Sequence, residues 1–293
     1  MTQPHQPATV GEWYAQADRL RVGSDSTVVR DNGDGPVVLC LHGFPTSSWD
    51  FEPIWDDLTG RRRAIAFDLL GLGRATKPDR PIPVAAQADL AEAVLESRGV
   101  TRANLLCHDL GDSVGQELLA RQAAGASPIE WTSALFLNGG IFPETHRPRP
   151  IQRLLISPLG RWVARLSSER TFRRSMQRIF GPDTPPTDAF LKGSWELLIA
   201  DGGRTALPHL IRYMEERTTQ RERWVRPLLD NLVPTRVING NVDPVSGRHA
   251  AQRYAELVPD ADVVHLPTIG HYPHVEDPAA VFAAADAFWS TRE

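Results

Sequence analysis

The apolar residues of this chain follow two patterns that alternate along it. Strand-like runs occupy residues 36–41 (PVVLCL), 63–68 (RAIAFD), 131–137 (WTSALFL), 235–239 (TRVIN) and 262–266 (DVVHL), and 105–107 (LLC) reads as the end of another. In 36–41 and 63–68 the apolar residues are continuous, which leaves no face for water and predicts strands buried on both sides. Between the runs, apolar positions recur at helical spacing. They are Trp49, Ile54 and Leu58 within 47–58, the amphipathic stretch 84–98, and Val114, Leu118, Leu119 and Ala123, with further helices over 248–257 and 278–289. Such alternation predicts an α/β fold, a mostly parallel central sheet flanked by helices, with its functional loops at the strands' carboxyl ends. Ahead of it, 19–22 and 26–30 read as an antiparallel pair, separated by Gly23-Ser24-Asp25 and closed by Asn32-Gly33-Asp34-Gly35.

The alternation stops in the middle of the chain. After 131–137, Pro143, Pro148 and Pro150 break regular structure, and residues 151–225 carry only helical patterns punctuated by Gly181-Pro182 and Pro185-Pro186. The predicted organisation is a core over 1–140, a helical insertion over 141–226 and the rest of the core over 227–293.

The stretch 104–124 (NLLCHDLGDSVGQELLARQAA) holds a tight corner between strand and helix. A corner of this kind strains its central residue and wants small residues two positions to either side, and Cys107 and Gly111 take those places around Asp109. The side chain at the tip stands clear of the sheet, and the following helix presents N–H groups to a nearby negative charge. Gly111-Asp112-Ser113-Val114-Gly115 also matches the G-x-S-x-G of serine hydrolases. The two registers exclude each other: Ser113 at the tip would bury His108 and Asp109 in the strand and remove the first helical turn. Asp109 is favoured, a plain helix N-cap being its alternative role.

Composition adds little to this and excludes much. With 293 residues, 41% hydrophobic, the chain buries a large core and reads as a globular protein; a formal charge of −4 points to neither nucleic acid nor an acidic membrane surface. Arg and Lys nevertheless concentrate in and just beyond the third quarter, which reads as a solvated helical face. Cys40 and Cys107, both in apolar runs, suggest buried thiols in a reducing compartment and are too few for a metal site. The first twenty residues lack the apolar core of a signal peptide and no stretch reaches membrane-span length, so a cytoplasmic location is expected.

Three groups of residues together carry a family resemblance: His42-Gly43-Phe44-Pro45; Asp68-x-x-Gly71-x-Gly73 with Lys77-Pro78; and His108-Asp109-Leu110-Gly111. They resemble the α/β-hydrolase superfamily, in its epoxide hydrolase and haloalkane dehalogenase branch. The match is closer still to the mesoderm-specific transcript protein family, through Gln116-Glu117-Leu118-Leu119 and the run from Asn138 to Pro148 (NGGIFPETHRP). It runs from about Val37 to the C-terminus and is weakest between 151 and 206. The resemblance implies an α/β-hydrolase fold, with the insertion as a cap that covers the site and selects substrate.

It also implies roles. Asp109 is the nucleophile, Asp243 the orienting acid (a turn Asp beside Pro244 being the alternative) and His271 the base, ahead of His274, which reads as a surface or supporting residue. Backbone N–H groups of Phe44 and Leu110 form the oxyanion hole. Tyr213 resembles the ring-opening Tyr of the cap; a second such Tyr is not found. Phe44, Leu110, His108 and Asn138 are the expected substrate contacts. Strand alternation turns His108 away from Cys107 and Asp109, so it also fills space beside the site, and His42 fixes its loop.

A carboxylate is ionised at neutral pH and attacks an electrophilic carbon without a base, giving an alkyl ester that His271-activated water then cleaves. Neither metal nor cofactor is required, and the expected partner is a small hydrophobic electrophile. Epoxide opening leads. Haloalkane dehalogenation is set back because Leu110 and Phe44 offer no side-chain N–H to a halide. A serine esterase through Ser113, or a weakly active or non-catalytic binding protein, is the further alternative, the latter kept open by Asp112 and Ala75, where relatives carry other residues.

Overall fold

The computed structural model describes residues 8–292; residues 1–7, the start of the segment read for a leader, and residue 293 lie outside it. Eight strands form one sheet: β1 (Asp18–Val22), β2 (Asp25–Asn32), β3 (Val37–Leu41), β4 (Arg63–Phe67), β5 (Arg102–His108), β6 (Glu130–Leu137), β7 (Thr235–Gly240) and β8 (Asp262–Leu266). Their order is β1-β2-β4-β3-β5-β6-β7-β8. β1 and β2 are antiparallel, as is β2 against β4, and every later pairing is parallel. The run 262–266 became the edge strand β8 and is only partly buried, whereas the inner strands are covered on both faces: every residue of β5 after Arg102 is buried.

The helices are α1 (Val10–Ala15), α2 (Glu52–Thr59), α3 (Val84–Ser97), α4 (Leu110–Ala123), α5 (Pro150–Ile156), α6 (Gly160–Leu166), α7 (Glu169–Gln177), α8 (Asp188–Ile199), α9 (Gly203–Leu210), α10 (Tyr213–Thr219), α11 (Arg221–Leu229), α12 (Arg248–Leu257), α13 (Pro273–Glu276) and α14 (Pro278–Ser290). Two differ from expectation. The stretch 47–58 opens as a 3₁₀ turn, Ser48–Phe51, before α2 begins with Pro53 in its first turn. Helix α1 falls within the first twenty residues, at positions where no element is predicted. Six residues are too few to display a helical period, and α1 is held instead by a Thr9–Glu12 capping box and by buried Trp13, which meets Trp55 edge-on at 5.0 Å.

Between β6 and β7 the described chain is entirely helical, α5 to α11 with two 3₁₀ turns. This insertion docks on α4 through polar anchors in an apolar interface. Gln116 Nε2 donates to the carbonyl of Ile141 at 3.1 Å, while Glu117 accepts from Trp224 Nε1 at 2.8 Å and from Arg223. Trp224, Val225 and Leu228 are buried around them. No helix among the described residues is long and apolar enough to cross a membrane. Cys40 and Cys107 are buried free thiols.

Candidate active site

Asp109 stands between β5 and α4 with φ 48° and ψ −100°, a conformation that costs on the order of 1–3 kcal/mol and persists only where its surroundings enforce it. The enforcement is visible at Gly111, where a Cβ would lie 2.1 Å from the Leu41 carbonyl, so only glycine lets α4 start this close to β3. The register is therefore the one with Asp109 at the tip. Ser113 sits one turn into α4, buried, and among the described residues its Oγ has one partner, Arg217, and no histidine.

The Asp109 carboxylate, 3% exposed, accepts from the Phe44 backbone N–H at 3.1 Å. Leu110 begins the helix at the next position. The Tyr213 hydroxyl lies 3.4 and 3.5 Å from the two carboxylate oxygens. Burial raises the acid, but the charges of His271 and Arg217 and the Phe44 N–H outweigh it and hold Asp109 below the ordinary carboxylate value. Burial and the neighbouring Asp109 charge push the Tyr213 hydroxyl up, leaving it a neutral donor.

Asp243 and His271 come from the ends of β7 and β8 and meet at 2.7 Å, Nδ1 donating to Oδ2. Burial opposes charge at both. At His271 the Asp243 carboxylate, with Asp109 adding to it, overcomes burial and pushes the imidazole up to about 9; Asp243 is held down in return. Asp243 is further fixed by the N–H groups of Val245 at 2.7 Å and Ser246 at 3.0 Å, and by Asn138 Nδ2 at 3.0 Å.

Asn138, expected as a substrate contact, is here a partner of the loop that carries Asp243. Its Nδ2 also donates to the Gly240 carbonyl and its Oδ1 accepts from Gly240 N–H, so the whole amide is spent on clamping the acid-bearing loop. His108 is fully buried. Its Nε2 is 2.8 Å from the carbonyl of His271, which requires that nitrogen to donate; the ring is neutral, burial lowering it to about 3, and it supports the His271 backbone as a packing residue. His42 behaves as expected of a loop-fixing residue: Nε2 accepts from Leu69 N–H at 2.9 Å and Nδ1 donates to the Gly43 carbonyl.

His274, read as a surface or supporting residue, lies inside the fold. It has no exposure and stacks on Phe51 at 5.0 Å, because Pro273 starts a short helix that turns it inward. Asp50, His108 and His274 bring ligand-type atoms within 4.8 Å of one another beneath the site. Burial raises Asp50 and lowers both imidazoles.

One site residue had no counterpart in the sequence reading. Arg217, 2% exposed, donates through Nη2 to the Asp109 carbonyl and through Nε to Ser113 Oγ, both at 2.7 Å. The same Nη2 is 3.6 Å from Asp109 Oδ1, and the guanidinium lies 4.6 Å from the Tyr213 ring centroid. The available signal was spacing, since Arg217 is four residues after Tyr213 on one helical face. Its bulk also explains Gly140, where a Cβ would fall 2.5 Å from Nη1, and Asp112 likewise explains Gly139, where a Cβ would fall 1.9 Å from Oδ2. Burial raises Asp112, the departure from the family pattern, well above the usual carboxylate value.

Asp109 at a strained corner after β5, and Asp243 after β7 hydrogen-bonded to His271 after β8, are the arrangement of this site. The chain belongs to the alpha/beta hydrolase family, whose model matches residues 38–285. It is 39% identical to a putative hydrolase, LipZ, of Mycobacterium tuberculosis over 289 residues, 97% of this chain and 98% of that protein. It is also 39% identical to the mesoderm-specific transcript protein of Mus musculus over 269 residues, 87% of this chain and 79% of that one. Among solved structures, a mutant of the haloalkane dehalogenase DatA from Agrobacterium tumefaciens superposes with a TM-score of 0.80 at 18% identity, covering 94% of this chain and 96% of its own, a likeness of fold.

Proposed function

We propose that this hydrolase opens small hydrophobic epoxides through a covalent ester on Asp109, with the helical insertion acting as the cap. The observation that carries the reading is the Tyr213 hydroxyl, 3.4 Å from a carboxylate held ionised at the corner's tip. An epoxide carbon set against Asp109 places its oxygen beside a neutral donor. Asp109 Oδ bonds to that carbon, the ring C–O bond breaks and Tyr213 gives its proton to the departing oxygen.

The resulting tyrosinate takes a proton from the His271 imidazolium. Once Asp109 is an ester, one of the anions that raised His271 is gone, and the neutral imidazole is ready to act as base. It removes a proton from water, hydroxide adds to the ester carbonyl, and the N–H groups of Phe44 and Leu110 receive the oxyanion. Collapse releases the diol, the diol oxygen taking the remaining proton, and restores the Asp109 carboxylate beside imidazolium. Ser113 is read as a ligand of Arg217.

The test is His271→Gln mixed with styrene oxide, a haloalkane and a short ester in parallel. Intact mass is expected to rise by the mass of the epoxide, with the adduct mapping to Asp109, and Tyr213→Phe to slow that adduct selectively. Adduct with the haloalkane alone would make the protein a dehalogenase. Turnover of the ester through Ser113 would move it to the serine esterases, and no adduct with any electrophile would refute Asp109 as nucleophile.

A further inference from the structure

We propose that helices α5 and α6 form a docking surface for an anionic phospholipid membrane. Among the described residues, eight large hydrophobic side chains are exposed, and five of them, Ile151, Leu154, Leu159, Trp162 and Leu166, fall within sixteen residues of sequence. Leu166 is 79% exposed, Trp162 63% and Leu159 59%. The two helices pack on one another and against α9, turning Leu155 and Ala164 inward. Ile151 with Leu154, and Trp162 with Leu166, follow helical spacing on the outward side, where apolar groups gathered this closely mark an interaction site.

The charge around them names the occupant. Residues 147–178 hold nine arginines and one acid, Glu169, a net charge of +8 in a chain whose total is −4, so the remainder carries −12. Arg161 pairs with Asp79, and Arg173 with Glu169 and Asp188. Arg153, Arg165, Arg170, Arg174 and Arg178 are without ion pairs among the described residues, and all five are exposed. A second copy of the chain would set two such cationic surfaces against each other. Nucleic acid would meet the charge but give Leu159 and Leu166 no apolar medium. An anionic bilayer supplies both, phosphate for the arginines and acyl boundary for the aliphatic side chains, with Trp162 suited to the layer between. The arginine concentration in the sequence is therefore a surface for lipid, and it lies on the same insertion as Tyr213 and Arg217. The inference does not depend on which substrate the site accepts.

The experiment is flotation of the full chain with vesicles of phosphatidylcholine alone and of equimolar phosphatidylcholine and phosphatidylglycerol. The protein is expected to float with the anionic vesicles and to be released by salt. Trp162→Ser/Leu166→Ser and, separately, Arg153→Gln/Arg165→Gln/Arg174→Gln are each expected to lower partitioning roughly tenfold or more. Circular dichroism and thermal unfolding should match the parent, since all these side chains are exposed; should the apolar variant fail to fold, the arginine variant decides. Trp162→Phe/Leu166→Ile is expected to float as the parent does. Absence of flotation, flotation equal on neutral vesicles, or flotation untouched by either variant overturns the proposal. So does a parent that sediments as a dimer which Trp162→Ser/Leu166→Ser converts to monomer, because a second copy then covers the patch.

Discussion

Replacing Arg217 with Met keeps length and apolar bulk while removing the one cation that the insertion delivers to the nucleophile. The guanidinium is buried and 3.6 Å from Asp109 Oδ1. Two unit charges at that distance attract by roughly 4–5 kcal/mol at an effective dielectric near 20, and Arg217 desolvation and the remaining partners, His271 and Phe44 N–H, offset much of it. An arginine beside an aspartate typically lowers the acid by about 1–3 units, so Arg217→Met should raise Asp109 by that amount. Attack needs the carboxylate. The acid limb of kcat/KM against pH should therefore move upward by roughly 1–3 units, with the loss largest at low pH and partly recovered toward neutrality. Arg217→Lys, retaining charge but not the paired bonds to the Asp109 carbonyl and Ser113, should keep the limb near its original place at a lower plateau. The assay is initial turnover of an accepted epoxide across pH, with thermal unfolding recorded beside it. A uniform fall in rate with an unmoved acid limb would refute the electrostatic role and leave Arg217 a structural clamp.

Asp109→Ala should abolish turnover, whereas Ser113→Ala should retain it while losing about 1.5–3 kcal/mol of stability, because Ser113 Oγ is the acceptor of a buried charged donor; steady-state rates and chemical denaturation separate the two. Asp243→Asn should lower kcat by roughly 10⁴, since the imidazolium loses its counter-charge and Nδ1 its acceptor, and a near-normal rate would place the orienting acid elsewhere. His271 links stability to pH. Its pKa is raised from an unfolded value near 6.5 to about 9, so its contribution, on the order of 3 kcal/mol, is fully present below pH 6.5 and lost as pH rises through about 9. Thermal unfolding should show that decline in the parent and not in His271→Gln; a parent melting point flat across that range would contradict it.

The alternation of apolar runs and helical spacing was enough to determine the parallel sheet and the helical insertion, because both periods are local properties of the chain. The corner at Asp109 was legible for the same reason: Cys107, Gly111 and the phase of Val114 and Leu118 lie within one turn of it. Other features depended on residues far apart in sequence. The tertiary structure set Asn138 against Asp243, 105 positions away, where its amide clamps the loop. It carried Arg217 across 108 positions to the Asp109 carbonyl, a placement for which the four-residue spacing from Tyr213 is the only local hint. Only packing decided between a surface and a supporting place for His274, which lies buried against Phe51, and α1 is too short to show a period by itself, its Trp13 being buried by residues far along the chain. Composition disclosed the arginines of 147–178, but only packing decided that Leu155 and Ala164 face inward while Trp162 and Leu166 face out. Periodicity assigns a residue to a side of its own element. Which side meets protein, water or another side chain is settled by the elements around it, and those are chosen by the whole chain at once.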